Sequence, residues 1–145
     1  MAMVDIGEKP LTKRKAVARG ALRLKPTTIE AIKSNRVKKG DVFSVSEVSA
    51  IQAVKGTSQL LPLCHQIPIT SVDVSFSLLD DAVVCTCTVS AHYRTGVEME
   101  ALCGVGVGLL NVWDMVKYLE KDEKGQYPDT RIEDIRVLSK QKVEK

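Results

Sequence analysis

Apolar and polar positions along the chain follow two different periods. Apolar residues recur at helical spacing in three segments, whereas in four others they alternate with polar residues or form short runs rich in Val and Thr. The pattern predicts, in order, a strand over 17–24, a helix over 26–35, a helix from 42 to about 56, a strand around 72–76, a strand over 82–93, a helix over 97–120 and a strand around 132–138.

Local signals mark where the first two helices begin. Pro26 suits the first position of a helix, and Thr27 and Glu30 have the spacing of a capping box. Asp41 is a good cap for the second helix. The order strand, helix, helix, strand, strand, helix, strand predicts an α+β fold, a ferredoxin-like antiparallel sheet with the helices packed on one face.

The chain has 145 residues, of which 44% are apolar, and it shows no internal repeat and no linker. A chain of this length buries enough surface to fold without disulfides or a structural metal. We therefore expect a single domain over 1–145, with polar, flexible ends at about 1–14 and 140–145.

Positive charge is concentrated at the front of the sequence. Residues 1–40 contain 11 Lys or Arg against 3 Asp or Glu, whereas residues 41–145 contain 10 against 15. Such a block indicates an anionic partner such as a phosphate or a nucleic acid, or simply a solvated surface. Aromatic residues make up only 4% of the chain, which argues against a stacking surface for single-stranded nucleic acid.

The sequence predicts neither a membrane span nor an export signal. The longest mostly apolar run, 101–116, is interrupted by glycines and carries Asn111 and Asp114. The first ten residues lack the apolar stretch of a signal peptide. We expect a cytoplasmic protein.

The four cysteines have no zinc-site spacing. Cys85 and Cys87 lie two apart in an apolar run and share a strand face, as small buried residues do. A metal site made by them with Cys64 and His65 has no support from spacing, so no metal is predicted. Cys64 as a nucleophile stays an open alternative.

Three glycines, Gly104, Gly106 and Gly108, interrupt the longest predicted helix. They have neither of the spacings of phosphate-binding loops, and each costs a helix roughly 1 kcal/mol relative to Ala. Close packing against another backbone, in this subunit or in a second one, explains them better.

The same helix carries two acidic positions of interest. Glu100 and Asp114 lie on one face but about 21 Å apart along the axis, at 1.5 Å per residue, so they cannot form one carboxylate pair. Lys117 lies three residues after Asp114 and is its neighbour on the helix surface. The two form either an ordinary surface pair or, in a closed pocket, an acid and a base.

Five segments in combination resemble one protein family. They are Lys39-Gly40-Asp41-Val42, the helix from Ile51-Gln52-Ala53 to Lys55, Leu61-Pro62-Leu63-Cys64-His65, Thr95-Gly96-Val97-Glu98-Met99-Glu100-Ala101-Leu102 and Asp114-Met115-Val116-Lys117. The chain resembles cyclic pyranopterin monophosphate synthase, the molybdenum cofactor biosynthesis protein C family, from about residue 5 to residue 142. The Leu-Cys-His and Gly-Val-Glu-Met-Glu-Ala-Leu segments are specific together.

The resemblance implies a ferredoxin-like subunit in a homo-oligomer, a hexamer built as a trimer of dimers, with active sites at subunit interfaces. It implies a lyase that converts (8S)-3′,8-cyclo-7,8-dihydroguanosine 5′-triphosphate to cyclic pyranopterin monophosphate and pyrophosphate. No cofactor is required by the sequence, and Mg²⁺ with the triphosphate or pyrophosphate stays open. The implied partner is this purine-derived nucleotide, not a nucleic acid or a membrane.

The resemblance also assigns residues. Asp114 matches the catalytic aspartate and Lys117 the lysine beside it, and we expect them to move protons while the purine-derived ring opens and the pterin forms. Substrate-binding positions are matched by Leu63, Cys64, His65, Met99 and Glu100, and the triphosphate-binding basic positions by Lys55, Lys39, Arg14, Lys140 and Lys142. Glu98 belongs to the same motif but ranks below Glu100.

One residue departs from the family pattern, and two other functions compete. The family usually has Pro after Cys-His, where this chain has Gln66, which leaves the loop freer. The first alternative is a non-catalytic ferredoxin-like module whose basic N-terminal block binds RNA or another polyanion. The second is a metal-dependent hydrolase that uses His65, Cys64 and Glu100.

Overall fold

The structure, a computed structural model, describes residues 1–143. Its elements are β1 (Thr12–Arg23), α1 (Pro26–Lys33), α2 (Val42–Lys55), α3 (Thr57–Leu60), β2 (Ile69–Leu78), β3 (Ala82–Tyr93), α4 (Glu98–Glu120) and β4 (Arg131–Val143). The predicted order of elements is confirmed. The short helix α3 was not predicted, because Gly56 ends the helical pattern just before it.

The four strands form one antiparallel sheet in the order β2-β3-β1-β4. β1 pairs with β3 along its whole length, from Thr12 opposite Tyr93 to Arg23 opposite Ala82. It also pairs with β4 across two register shifts. The helices pack against this sheet, which confirms the predicted α+β class with helices on one face.

Burial alternates along β1 because only one face of the sheet is covered. Every second residue from Thr12 to Leu22 is buried beneath the helices, and the residues between them are exposed or half-buried. Small residues at 16, 18 and 20 bring α4 close to the sheet. A Cβ atom built on Gly20 would lie only 2.9 Å from a methyl group of Val105.

α4 is the central helix of the core. Its residues Val105, Leu109, Val112 and Val116 are fully buried against the sheet and α2. The helix is long and apolar enough to cross a membrane by length and composition, but half of the relevant stretch is buried inside the protein, as in a core helix.

The three glycines of α4 have different surroundings. A Cβ atom on Gly104 would lie 2.7 Å from the sulfur of Cys87 and 2.9 Å from Val54, so this position admits no side chain without rearrangement. At Gly108 the nearest atoms lie at 3.4 Å, which is ordinary contact. Gly106 faces open space in the described part of the chain. The predicted close approach is therefore confirmed at Gly104, within the subunit.

The caps differ partly from those predicted. Asp41 accepts a hydrogen bond from the Ser44 N–H, as expected. α1 begins after Lys25 without a side-chain cap, so the capping box of Thr27 and Glu30 is wrong. The buried carboxylate of Glu120, at the end of α4, instead accepts hydrogen bonds from the Lys25 N–H and from the hydroxyl groups of Thr28 and Thr130.

The ends are more ordered in secondary structure than expected. Residues 12–14 belong to β1 and residues 140–143 to β4, with Arg14 opposite Lys142 in the sheet. β4 is an edge strand that is exposed along most of its length, so its lysines are compatible with a strand although they disguise its pattern. Residues 144 and 145 of the predicted flexible tail lie outside the described residues.

The two buried glycines give a matched test of the packing. We expect Gly104→Ala to lower the free energy of unfolding by roughly 1–3 kcal/mol, the usual cost of overpacking a core. Gly108→Ala should leave it unchanged or raise it by up to about 1 kcal/mol, because Ala favours the helix. Chemical denaturation of both variants measures this, and equal effects at the two positions would contradict the packing account.

Candidate functional site

The Asp114 carboxylate lies between two ammonium groups. Its Oδ2 atom is 3.1 Å from Lys39 Nζ, and its Oδ1 atom is 3.1 Å from Lys117 Nζ. Lys117 comes from the next turn of α4, whereas Lys39 comes from the turn between α1 and α2 and also donates to the Asp114 carbonyl oxygen at 2.9 Å. We call Lys39, Asp114 and Lys117 the aspartate cluster.

The two lysines decide the charge state of this cluster. The hydrogen bond from Lys39 is the main cause that lowers the pKa of Asp114 below its ordinary value, and the hydrogen bond from Lys117 is the next. The carboxylate is therefore ionised near neutral pH and is fit to accept a proton. All three side chains are roughly half exposed, so a ligand has access to them.

A second group of predicted residues lines a cavity of about 150 Å³ near the other end of α4. This cavity, the histidine pocket, lies between the end of α2, α3, the loop before β2 and the first turn of α4. It is lined by Val54, Lys55, Ser58, Gln59, His65, Gln66, Ile67 and Glu100. The structure thus brings together three predicted substrate-binding residues that are far apart in the sequence.

Glu100 is the buried acid of the histidine pocket. Only 4% of its surface is exposed. Burial is the main cause that raises its pKa, and the negative charge of Glu98 raises it further. The pocket therefore holds a carboxyl group that binds its proton more tightly than an exposed glutamate does.

The thiols are poorly suited to nucleophilic or metal-binding roles. Burial raises the pKa of Cys64, and the charge of Glu100 adds to this effect. Burial also raises the pKa of Cys85 and Cys87 to about 12. Thiolates are the reactive and ligating form. Among residues 1–143, no group of three or more His, Cys, Asp or Glu side chains is placed to hold a metal ion.

The N-terminal segment crosses the loop that carries His65. The Nε2 atom of His65 lies 2.6 Å from the carbonyl oxygen of Val4, so this nitrogen carries the proton and donates it. Arg94 donates to the carbonyl oxygens of Gly7 and Lys9, at 3.0 and 2.7 Å. Sequence reasoning missed these contacts because backbone carbonyls leave no motif.

A third group of predicted residues lies where β1 and β4 pair. Arg14 is 94% buried between Ala91 of β3 and Lys142 of β4. Within residues 1–143, its Nε and Nη2 atoms have no hydrogen-bond partner. Buried guanidinium nitrogens of this kind are satisfied by an anionic ligand.

Lys140 and Glu98 connect this third group to α4. Lys140 Nζ lies 3.4 Å from Glu98 Oε1. The other oxygen of Glu98 is buried and lacks a partner in the described part of the chain. Glu98, ranked below Glu100 from the sequence, thus contacts one of the predicted phosphate-binding lysines.

The predicted site residues do not form one group within a subunit. Lys39 lies with Asp114 rather than with Lys55, and Leu63 and Met99 are exposed on the surface. Fourteen residues of continuous helix separate Glu100 from Asp114, which corresponds to about 21 Å. The aspartate cluster and the histidine pocket therefore lie at opposite parts of α4.

The raised pKa of Glu100 predicts a pH-dependent stability. A folded-state pKa above the unfolded value means that stability is fully present below the unfolded pKa and is lost as pH rises through the folded pKa. We expect Glu100→Gln to unfold at a higher temperature than the wild type near neutral pH. The difference should vanish in acid, where both side chains are neutral. A thermal melt series against pH measures it, and a gain that persists in acid would be contrary to this account.

Comparison with known proteins supports the resemblance. The chain matches the MoaC family over residues 3–142. A probable cyclic pyranopterin monophosphate synthase of Thermococcus kodakarensis is 58% identical over 142 residues, which cover 98% of this chain and 91% of that protein. A protein of the same name from Natronomonas pharaonis is 57% identical over 140 residues, covering 97% and 88%.

A third relative has a slightly different name. The probable cyclic pyranopterin monophosphate synthase accessory protein of Methanothermobacter thermautotrophicus is 49% identical over 142 residues, covering 98% of this chain and 89% of that protein. All three alignments span nearly the whole chain, including every segment that carried the resemblance. The chain belongs to the MoaC family.

Proposed function

We propose that this protein is a lyase of molybdenum cofactor biosynthesis. It converts (8S)-3′,8-cyclo-7,8-dihydroguanosine 5′-triphosphate to cyclic pyranopterin monophosphate and pyrophosphate. The names of its relatives support the reaction. The observation that carries the proposal in this chain is the Asp114 carboxylate held between Lys39 and Lys117.

The reaction needs both a base and acids. Its product is a cyclic phosphate monoester, so a hydroxyl oxygen of the sugar-derived part forms a bond to the α-phosphorus while the bond from that phosphorus to pyrophosphate breaks. The hydroxyl loses a proton in this step. Opening of the purine-derived ring and closure of the pterin ring also transfer protons to and from nitrogen and carbon.

The aspartate cluster supplies these groups. Asp114 is ionised near neutral pH because its pKa is lowered, so it acts as the base that takes a proton from the substrate. Lys39 and Lys117 carry protons that they can return, and their charges stabilise negative charge that develops nearby. The three groups touch one another and therefore act as one unit.

The other predicted residues bind the substrate. Arg14, with buried nitrogens that lack partners within residues 1–143, is the strongest candidate for a phosphate ligand, with Lys140 and Lys142 on the adjacent strand. Lys55 supplies a positive charge at the histidine pocket. Leu63, Cys64, His65, Met99 and Glu100 complete the substrate-binding set, in which the fixed carboxyl group of Glu100 recognises N–H groups of the heterocycle.

We propose that the active site forms between subunits of a homo-oligomer, a hexamer built as a trimer of dimers. About 21 Å of helix separates the two parts of the site within one subunit. Apolar side chains are also exposed on the helix layer, with Val48 and Leu110 each 55% exposed. A neighbouring subunit that covers these residues would bring its own aspartate cluster to this subunit's histidine pocket.

The remaining expectations belong to the same proposal. The enzyme acts in the cytoplasm, where its nucleotide substrate is made. Mg²⁺ is a companion of the substrate's triphosphate and of the released pyrophosphate, rather than a resident of the protein. An RNA-binding or polyanion-binding module remains the competing function, and it offers no reason for a carboxylate held between two lysines.

Loss of the Asp114 carboxylate tests the proposal directly. We expect Asp114→Asn to reduce formation of both pyrophosphate and the pterin by at least about a hundredfold, the scale of general acid–base catalysis. Turnover of the purified protein with the cyclic dihydroguanosine triphosphate measures this. Asp80→Asn, on the exposed turn before β3, is the matched control and should keep wild-type activity. Wild-type protein that binds the nucleotide and releases no product would contradict the enzyme and favour the binding module.

A further inference from the structure

The inference concerns how Lys39 is held against Asp114, and it rests on the proposed role of the aspartate cluster. Lys39 reaches α4 only through the end of a long side chain that is 43% exposed. A lysine side chain in this position loses considerable rotamer freedom when it is fixed. A surface ion pair alone contributes little to holding such a geometry. A contact that fixes the backbone next to Lys39 is therefore informative.

Tyr118 makes that contact. Its Oη atom accepts a hydrogen bond of 2.8 Å from the backbone N–H of Lys38. The ammonium group of Lys38 also lies 5.4 Å from the centre of the Tyr118 ring, within the range of a cation–π interaction. One side chain of α4 thus holds both the backbone and the side chain of the residue that precedes Lys39.

The spacing along α4 matches the spacing along the turn. Tyr118 lies four residues after Asp114, so both face the same side of the helix, one turn apart. The adjacent residues Lys38 and Lys39 contact Tyr118 and Asp114, respectively. Two neighbouring contacts of this kind fix the direction of the turn relative to α4, which neither contact does alone.

The turn has no other contact of this kind at its tip. It is closed by a hydrogen bond of 3.2 Å from the Gly40 N–H to the Val37 carbonyl, with Gly40 at a φ of 112°. Val37 is buried and anchors the base of the turn. Among residues 1–143, the hydrogen bonds from the tip to another element go to Tyr118 and Asp114.

We propose that Tyr118 is a positioning residue for the reaction: by fixing the Lys38 backbone, it holds the Lys39 ammonium group against the Asp114 carboxylate. Tyr118 touches no reacting atom in this account. It acts through Lys39 alone. The charged groups that face Asp114 are Lys39 from the turn and Lys117 from α4, with Lys38 one helical turn away on Tyr118.

The test is a double-mutant cycle with the acidity of Asp114 as the readout. The Asp114 carboxyl carbon is followed by NMR against pH in protein labelled with ¹³C-aspartate, with Asp114→Asn used to assign the signal. The variants are Tyr118→Phe, Lys39→Met and the two combined. Tyr118→Phe removes only the hydroxyl group. Tyr127→Phe removes the hydroxyl of a tyrosine that packs on Trp113 of the same helix and is the matched control.

The expected result follows from the causes of the lowered pKa of Asp114. Lys39→Met should raise the pKa of Asp114, because the hydrogen bond from Lys39 is the main cause that lowers it. Tyr118→Phe should raise it by less, and the combined variant should match Lys39→Met alone. Tyr127→Phe should leave it unchanged. A merely structural role of Tyr118 would not produce this dependence on Lys39.

Two results would overturn the proposal. One is an Asp114 that titrates in Tyr118→Phe as in the wild type. The other is a shift from Tyr118→Phe that is equally large when residue 39 is Met, since Tyr118 would then act on Asp114 without Lys39. Neither readout needs catalytic activity, so the cycle is decided independently of the proposed function.

Turnover of the same variants separates the two questions. We expect kcat of Tyr118→Phe to fall by about threefold to tenfold, the effect of losing one hydrogen bond. An unchanged kcat in Tyr118→Phe, beside a large loss in Asp114→Asn, would overturn the positioning role. Full turnover in Asp114→Asn would instead overturn the proposed role of the aspartate cluster.

Discussion

The length and rigidity of α4 are the constraint on which the site depends. This helix packs its buried face against the sheet and α2, and Gly104 admits Cys87 and Val54 at distances that a side chain would prevent. Because the helix is continuous, its rise of 1.5 Å per residue fixes Glu100 and Asp114 about 21 Å apart. Neither local motion nor loop rearrangement can bring them together. The same packing that stabilises the subunit therefore divides the site.

The two parts of the site have opposite electrostatic characters. In the aspartate cluster, hydrogen bonds from two lysines lower the pKa of Asp114 and keep it ionised in contact with solvent. In the histidine pocket, burial raises the pKa of Glu100. Environments that push two carboxyl groups in opposite directions are typical of sites that assign them different tasks. Here one carboxylate is fit to accept protons, and the other is fit to recognise a ligand.

Much of the fold followed from the sequence, because β3 and α4 have strong periodicity and clear breaks. β4 was predicted too short, since lysines on an exposed edge strand resemble a disordered tail. The Asp114 and Lys117 pair follows from helical spacing, whereas the roles of the site residues came from the family resemblance. The contacts of Lys39, Tyr118 and the Val4 carbonyl could not be predicted, because they join segments through tertiary geometry and backbone atoms that leave no pattern in a single sequence.

The central claim is that a complete site takes Asp114 from one subunit and His65 from another, and subunit mixing tests it most directly. Asp114→Asn and His65→Ala proteins, each inactive alone, are coexpressed with different tags, and the mixed oligomers are purified through both tags. Random assortment predicts recovery of about a quarter of wild-type turnover, because that share of sites would combine an intact Asp114 with an intact His65. Mixed oligomers with no more activity than the separate variants would contradict a site shared between subunits.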